Sequence, residues 1–415
     1  MKFSRAGRVR RAITRASYSP AILRGMPFSR AKSFDLSGLR RITSDGKFIP
    51  EVDGFRLLAI LLVIFDHIHG QIALHVGTVW PSVLSIADGG RRGVEFFFVI
   101  SGFILGLPFA RRALVSSPSD SQRPFSYRAY LLRRVTRLEP PYVLSLVLRL
   151  GLIVMVFHED LRQLAPHFWA SLFYVHNLVF ADMSRVSPPT WSLEVEVQFY
   201  LLAPFLAAVF GMSNRTARRG LLIAATLGLS VLSQLYLKDI PRATLSLAGN
   251  AQYFTAGFLL CDFYLVAWRV RVSGYLLDAA GIALLVPLLY GGGPVTALLF
   301  PFGVLAVYMA GLRGVLLPKL FAQPLVSVAG GMCYSVYLTH GTVLAALGLV
   351  LRKLPFGSLP MAGQQVALIG LSLVVVFAAG TLNFVLIERP CMDPRWPRRL
   401  VALLRSHRAV PAQSP

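Results

Sequence analysis

The chain has 415 residues, 55% hydrophobic and only 15% charged, which leaves too little polar surface to cover a water-soluble fold and points to a polytopic membrane protein. Lys and Arg number 42 against 19 acidic residues, a net charge of +23. That excess falls mostly in short loops between apolar runs, where a positive cytoplasmic face accounts for it, so nucleic acid is not expected as a partner.

Residues 1–50 carry twelve Lys or Arg against two Asp, with Ser and Pro among them. This stretch reads as a disordered basic cytoplasmic arm that reinforces orientation; an organelle transit peptide or a segment touching anionic lipid heads are the alternatives. No secretory signal peptide precedes the first long apolar run. Apolar runs of spanning length follow near 57–74, 93–110, 139–157, 191–211, 220–237, 247–267, 274–290, 295–311, 326–350 and 363–386. The expected fold is therefore an all-α polytopic membrane helix bundle of about ten transmembrane helices with an internal polar cleft. Ten crossings put both termini on one side, with the basic loops 111–137 and 213–219 and the segment 269–272. Their charge makes that side cytoplasmic. The aromatic, proline-broken segment 158–190 is expected to be re-entrant or interfacial on the other side. The domain division expected is a basic arm (1–50), a membrane domain (51–390) and a basic tail (391–415).

Ionisable residues are numerous inside these runs: Asp66, His67, His69, Glu95, Glu194, Glu196, Asp262, Asp278 and His340. Each costs about 2.5–3.5 kcal/mol at mid-bilayer unless it has a partner or a wet cavity, so a polar interior follows. Arg56 and His67 are eleven positions apart. On a helix that is about three turns, so both side chains share one face roughly 16 Å apart along the axis. The three cysteines, Cys261, Cys333 and Cys391, are odd in number and lack paired spacing, so neither a disulfide framework nor a metal site is indicated.

Six blocks then occur in a fixed order: Arg56 to His67, RRGVEFFFVISGF (91–103), RRVTRLEPPY (133–142), TWSLEVEVQFYLLAP (190–204), YSVYLTH (334–340) and IERP (387–390). In these blocks the chain resembles the acyltransferase 3 family of integral-membrane acyltransferases, over about residues 50–395. The resemblance implies transfer of an acyl group, often acetyl, from cytoplasmic acyl-CoA to a hydroxyl of a carbohydrate-containing acceptor such as a cell-surface polysaccharide, a glycolipid or a glycosylated metabolite. It also implies an inner-membrane setting in a bacterium. Some relatives carry an additional hydrolase-like domain, for which 391–415 is too short.

Residue by residue, His67 can take a proton near neutral pH, as acyl transfer to an alcohol requires, and it matches the family's motif position. Asp66 lies about 100° round the helix and has a supporting role at most. Glu95 is expected to pair with Arg92 or Arg56. Ser101 could accept an acyl group covalently, though packing is the plainer reading. Arg133, Arg134 and Arg137 suit the phosphates of coenzyme A, with Arg56 beside them; an ordinary positive-inside cluster is the alternative. Glu194 and Glu196 should face opposite ways. The family position is Glu196, which could orient His67 as a triad acid does. Trp191 and Ser192 could stack on or bond a sugar, and Tyr337 and His340, three apart, add further hydrogen-bonding groups. A proton-coupled transporter or lipid flippase is the other function class for buried acids and histidines; no paired half-chain pattern supports it.

Overall fold

The computed structural model describes residues 37–42, 48–75, 90–115, 124–266, 272–351, 360–393 and 395–397. Residues 1–36 and 43–47 of the expected basic arm (1–50), the connector 76–89, residues 269–271 and most of the tail lie outside them. Among the described residues the fold is helical throughout. In chain order, α1 is Pro50–His75, α2 Gly90–Leu114, α3 Tyr127–Val156, α4 Leu161–Leu172, α5 His176–Phe180, α6 Trp191–Leu206, α7 Arg215–Leu232, α8 Leu247–Leu265, α9 Gly274–Tyr290, α10 Pro294–Arg313, α11 Pro324–Gly331, α12 Cys333–Leu351 and α13 Met361–Asn383.

Seven of these, with their short extensions, are long and apolar enough to cross a bilayer: α2, α3, α6, α7, α10, α12 and α13. The chain is an integral membrane protein. The other three of the ten expected runs are also helical, on α1, α8 and α9, but α9 is shorter, and α1 and α8 carry acids, amides or histidines that lower their apolar content. Two boundaries differ from expectation. Helix α3 starts at Tyr127, twelve residues before the apolar run, because Ser126 caps it by accepting the Ala129 N–H at 3.3 Å and the basic stretch continues the helix. The run 326–350 is two helices interrupted at Met332, after the pair Gly330–Gly331.

Close backbone approach sets the packing around the interior. Gly102 of α2 and Gly257 of α8 face each other so tightly that a Cβ at Gly102 would lie 2.4 Å from the Phe254 carbonyl oxygen, and one at Gly257 2.4 Å from that of Val99. With no side chain between them the helices meet along their backbones, and Phe98, Phe199 and Phe254 fill the adjoining space, Phe199 stacking on Phe254 at 4.1 Å.

The buried acids find partners. Asp262 on α8 is shared by Arg218, at 2.5 Å, and Arg219 of α7. Asp278 accepts the backbone N–H groups of Val315, Leu316 and Leu317 at 2.8–3.1 Å. These two carboxylates join helices and lie apart from the cavity described below. The segment 158–190 forms α4, capped by Asp160 accepting from Arg162 at 2.8 Å, then α5 and a single turn at Pro188–Thr190. It is tied to α3 by Tyr142, which donates to the Ser171 carbonyl at 2.7 Å and stacks on Tyr174 at 4.7 Å.

Candidate active site

Helices α1, α2, α3, α6 and α12 surround a cavity of about 130 Å³. Arg56, Arg134 and Arg137 line it, brought from two helices that are far apart in sequence. On α3 the two inward guanidinium groups are three positions apart, hence about 60° round the axis, whereas Arg133 is exposed and outside the cavity. Arg134 lies over the rings of Tyr130 and Tyr200 at 5.8 and 5.7 Å, so aromatic faces hold it in place. The buried Nε of Arg137 has no hydrogen-bond partner among the described residues. Arg56 is fixed by Asp53, whose carboxylate is fully buried and accepts from Arg56 on one oxygen and from Arg41, at 2.7 Å, on the other. Outside the spans, burial brings the Arg41 guanidinium down to about 10.

Glu196 and Ser101 meet on the same wall, the Ser101 hydroxyl donating to the Glu196 carboxylate. A carboxylate acceptor increases the negative character of a hydroxyl oxygen. Glu194 points the other way, as its spacing requires: it is fully buried and accepts the Asn177 backbone N–H at 2.9 Å, capping α5. Ser192 and Tyr337 are 2.7 Å apart, and Tyr337 donates to the Pro189 carbonyl. Because a phenol has one proton, Ser192 is the donor to Tyr337, and the lone pairs of its own oxygen remain for other contacts.

His67 is not a cavity wall; it lies in a histidine pair beside it. Its Nδ1–H donates to the Val63 carbonyl at 2.8 Å, which in the neutral ring leaves the basic lone pair on Nε2. The ring meets that of His340 edge to face at 4.8 Å. His340 is fully buried, donates Nδ1–H to the Tyr337 carbonyl, and its Nε2 has no partner among the described residues. Tyr337, whose ring is 5.4 Å from that of His340, also lines the cavity and so links the two groups. Asp66 approaches His67 at 3.8 Å, too far for a hydrogen bond, and both side chains are about 37% exposed. Glu196 is hydrogen-bonded to Ser101, while the Nδ1–H of His67 goes to the Val63 carbonyl.

Of the remaining expected residues, Trp191 is buried edge-on to Phe98 at 6.2 Å, and Glu95 is half-buried on α2 outside the cavity lining. The two arginines expected near Glu95 have other prominent partners: Arg92 donates to the Leu288 and Gly291 carbonyls and lies over Phe300, and Arg56 takes Asp53.

Two residues escaped the sequence reading: Asp53, which holds a cavity arginine, and Glu388, which lines the cavity itself. Asp53 stood three positions before Arg56, the spacing of a helical ion pair. Glu388, 1% exposed, holds one carboxylate oxygen on Ser335, through N–H at 3.1 Å and hydroxyl at 2.6 Å, while the other oxygen has no partner among the described residues. Its signal was an acid closing a long apolar run, in the IERP block.

Comparison with known proteins gives one family: its profile, described as an acyltransferase domain, matches residues 49–381. The chain is 26% identical over 334 residues to the peptidoglycan O-acetyltransferase OatA of Listeria monocytogenes, covering 72% of this chain and 50% of that protein. It is 23% identical over 380 residues to a provisionally named O-acetyltransferase of Staphylococcus aureus, 83% of this chain and 57% of the other. It is 28% identical over 208 residues to YrhL of Bacillus subtilis, provisionally named a peptidoglycan O-acetyltransferase, 48% and 29% respectively. The chain spans about half the length, or less, of these relatives. No solved structure matches it.

Proposed function

We propose, from the premise that this chain belongs to the acyltransferase 3 family, that it moves an acetyl group from acyl-CoA to a hydroxyl of a cell-surface carbohydrate. The observation that carries the donor is the convergence of Arg56, Arg134 and Arg137 on one cavity. Guanidinium groups bind phosphate oxygens in bidentate fashion, and three around one space suit the pyrophosphate and 3′-phosphate of coenzyme A. The relatives named as peptidoglycan O-acetyltransferases support a carbohydrate acceptor, with peptidoglycan the first to test.

In this reading acyl-CoA docks with its phosphates on Arg134, Arg137 and Arg56 and its thioester reaches toward Tyr337. An acceptor hydroxyl approaches His67. Nε2 of His67 removes the hydroxyl proton as the oxygen attacks the thioester carbon. The C–S bond breaks, the ester forms, and the proton passes to the departing thiolate. The docking side is cytoplasmic in this reading, with both termini there and the bacterial inner membrane as the setting. The Ser101–Glu196 pair favours a second route, in which Ser101 takes the acetyl group first and Glu196 takes its proton.

Labelled acetyl-CoA and the purified protein test the proposal. His67→Ala is expected to lower transfer at least a hundredfold while coenzyme A affinity stays within threefold, and full activity in that variant sinks the assignment of His67. Intact-protein mass measured after donor alone separates the routes: a 42-dalton increment lost in Ser101→Ala selects the covalent one.

A further inference from the structure

Arg149 lies on α3 fifteen residues beyond Arg134, about 22 Å along the axis. It is half-buried within a helix of spanning length, where a cation without a counter-charge is unfavourable. Four other part-buried cations of the bundle have carboxylate partners: Arg41 and Arg56 share Asp53, and Arg218 and Arg219 share Asp262. Arg149 donates through Nη1 to the Gly341 carbonyl at 3.0 Å and makes no ion pair among the described residues. Four of its five N–H donors are left for something else.

A notch of about 20 Å³ adjoins it, lined by Arg149, Ser187, Pro189, Tyr337, Gly341 and Thr342 among others. That is room for one water or for one oxygen of an anion. Tyr337 is the shared wall: its ring bounds the notch and the arginine cavity alike. A group held on Arg149 would therefore be one tyrosine ring from the cavity proposed for the acyl donor, on the side where the His67–His340 pair stands.

We propose that this notch is an acceptor subsite for an oxyanion, the carboxylate or phosphate of an acidic saccharide, which neutralises Arg149 and sets the acceptor hydroxyl toward His67. The proposal rests on the acyl-transfer reading for the word acceptor, but not for the anion site itself. A neutral sugar leaves the guanidinium uncompensated, so the subsite selects acidic saccharides over neutral ones.

The test uses the full chain in lipid nanodiscs and three oligosaccharides identical except for one residue: glucose, glucuronate or glucose phosphate. Acetyl transfer from labelled acetyl-CoA is measured on each, and saccharide binding without donor is followed by saturation-transfer NMR. The expected result is at least a tenfold preference for an acidic probe, lost in Arg149→Gln through KM with kcat little changed, and largely kept in Arg149→Lys. Loss of kcat alone, or an unchanged preference in Arg149→Gln, overturns the proposal. So does a variant effect that consists only of a melting shift present in anionic and absent in zwitterionic nanodiscs, which would make the partner a lipid headgroup. If acetyl-CoA gives no transfer to any probe while donor-free binding of the acidic one still depends on Arg149, the donor reading fails and this one stands.

Discussion

His67 shows how one hydrogen bond prepares a base: the Val63 carbonyl takes Nδ1–H, so the ring offers Nε2 in its neutral form. Its alignment with Arg56 could be read from an eleven-residue spacing, and the opposed directions of Glu194 and Glu196 from a two-residue one. Which arginines enter the cavity could not, since Arg133 and Arg134 are equally basic and only packing against Tyr130 and Tyr200 selects Arg134. Replacing Arg134 and Arg137 together by Ala should weaken coenzyme A binding by about 3 kcal/mol, over a hundredfold, from two charge-assisted contacts; isothermal titration reads it, and unchanged affinity removes the donor site. Glu388→Gln keeps the shape and the Ser335 bonds while removing a charge from the arginine cavity. It should tighten coenzyme A binding several-fold if the phosphates sit there, in the same titration.

Among the helices, the most constrained meeting is that of α2 and α8. Leucine at Gly102 or Gly257 has no volume to occupy, because backbone atoms already stand within 3 Å of where its Cβ would be. Either variant should lose about 3 kcal/mol or more and appear as a lowered melting temperature in detergent. The glycines were visible in the sequence, yet their mutual contact depends on a pairing of helices 155 residues apart that no local pattern specifies. The α4–α5 segment carries a different sensitivity. His176 donates Nδ1–H to the Asp182 carbonyl at 3.1 Å and accepts from His167 Nδ1–H at 2.8 Å, and burial lowers the affinity of both rings for a proton. Arg185 opposes protonation of His167, and Asp182 favours it. Because the folded segment holds these rings neutral while the unfolded one protonates near pH 6.5, its stability is full above that pH and declines below it. Amide protection factors over 161–180, taken relative to the intrinsic exchange rate at each pH, should fall between pH 7.5 and 5.5, and less so in His167→Gln with His176→Gln; protection factors indifferent to pH would refute this.

The bundle as a whole follows from hydropathy, which located every long helix, since apolar length alone marks a segment for the bilayer. Helix ends were less accessible: the start of α3 depends on a serine cap and the break at Met332 on two glycines, both weak against the surrounding apolar signal. A ligand that binds only the folded bundle raises its melting point with concentration, so coenzyme A should stabilise the wild type and fail to stabilise the Arg134→Ala, Arg137→Ala variant.

Asp53 adds a consequence for the whole chain. One carboxylate divides itself between Arg41, which precedes the first helix, and Arg56, which bounds the cavity. Removing Arg41 frees Asp53 to neutralise Arg56 alone, dimming the positive field that a phosphate would meet. A side chain outside the cavity lining thereby sets how attractive that interior is to anions, and trimming the polypeptide past residue 41 would blunt ligand capture without touching a single wall residue.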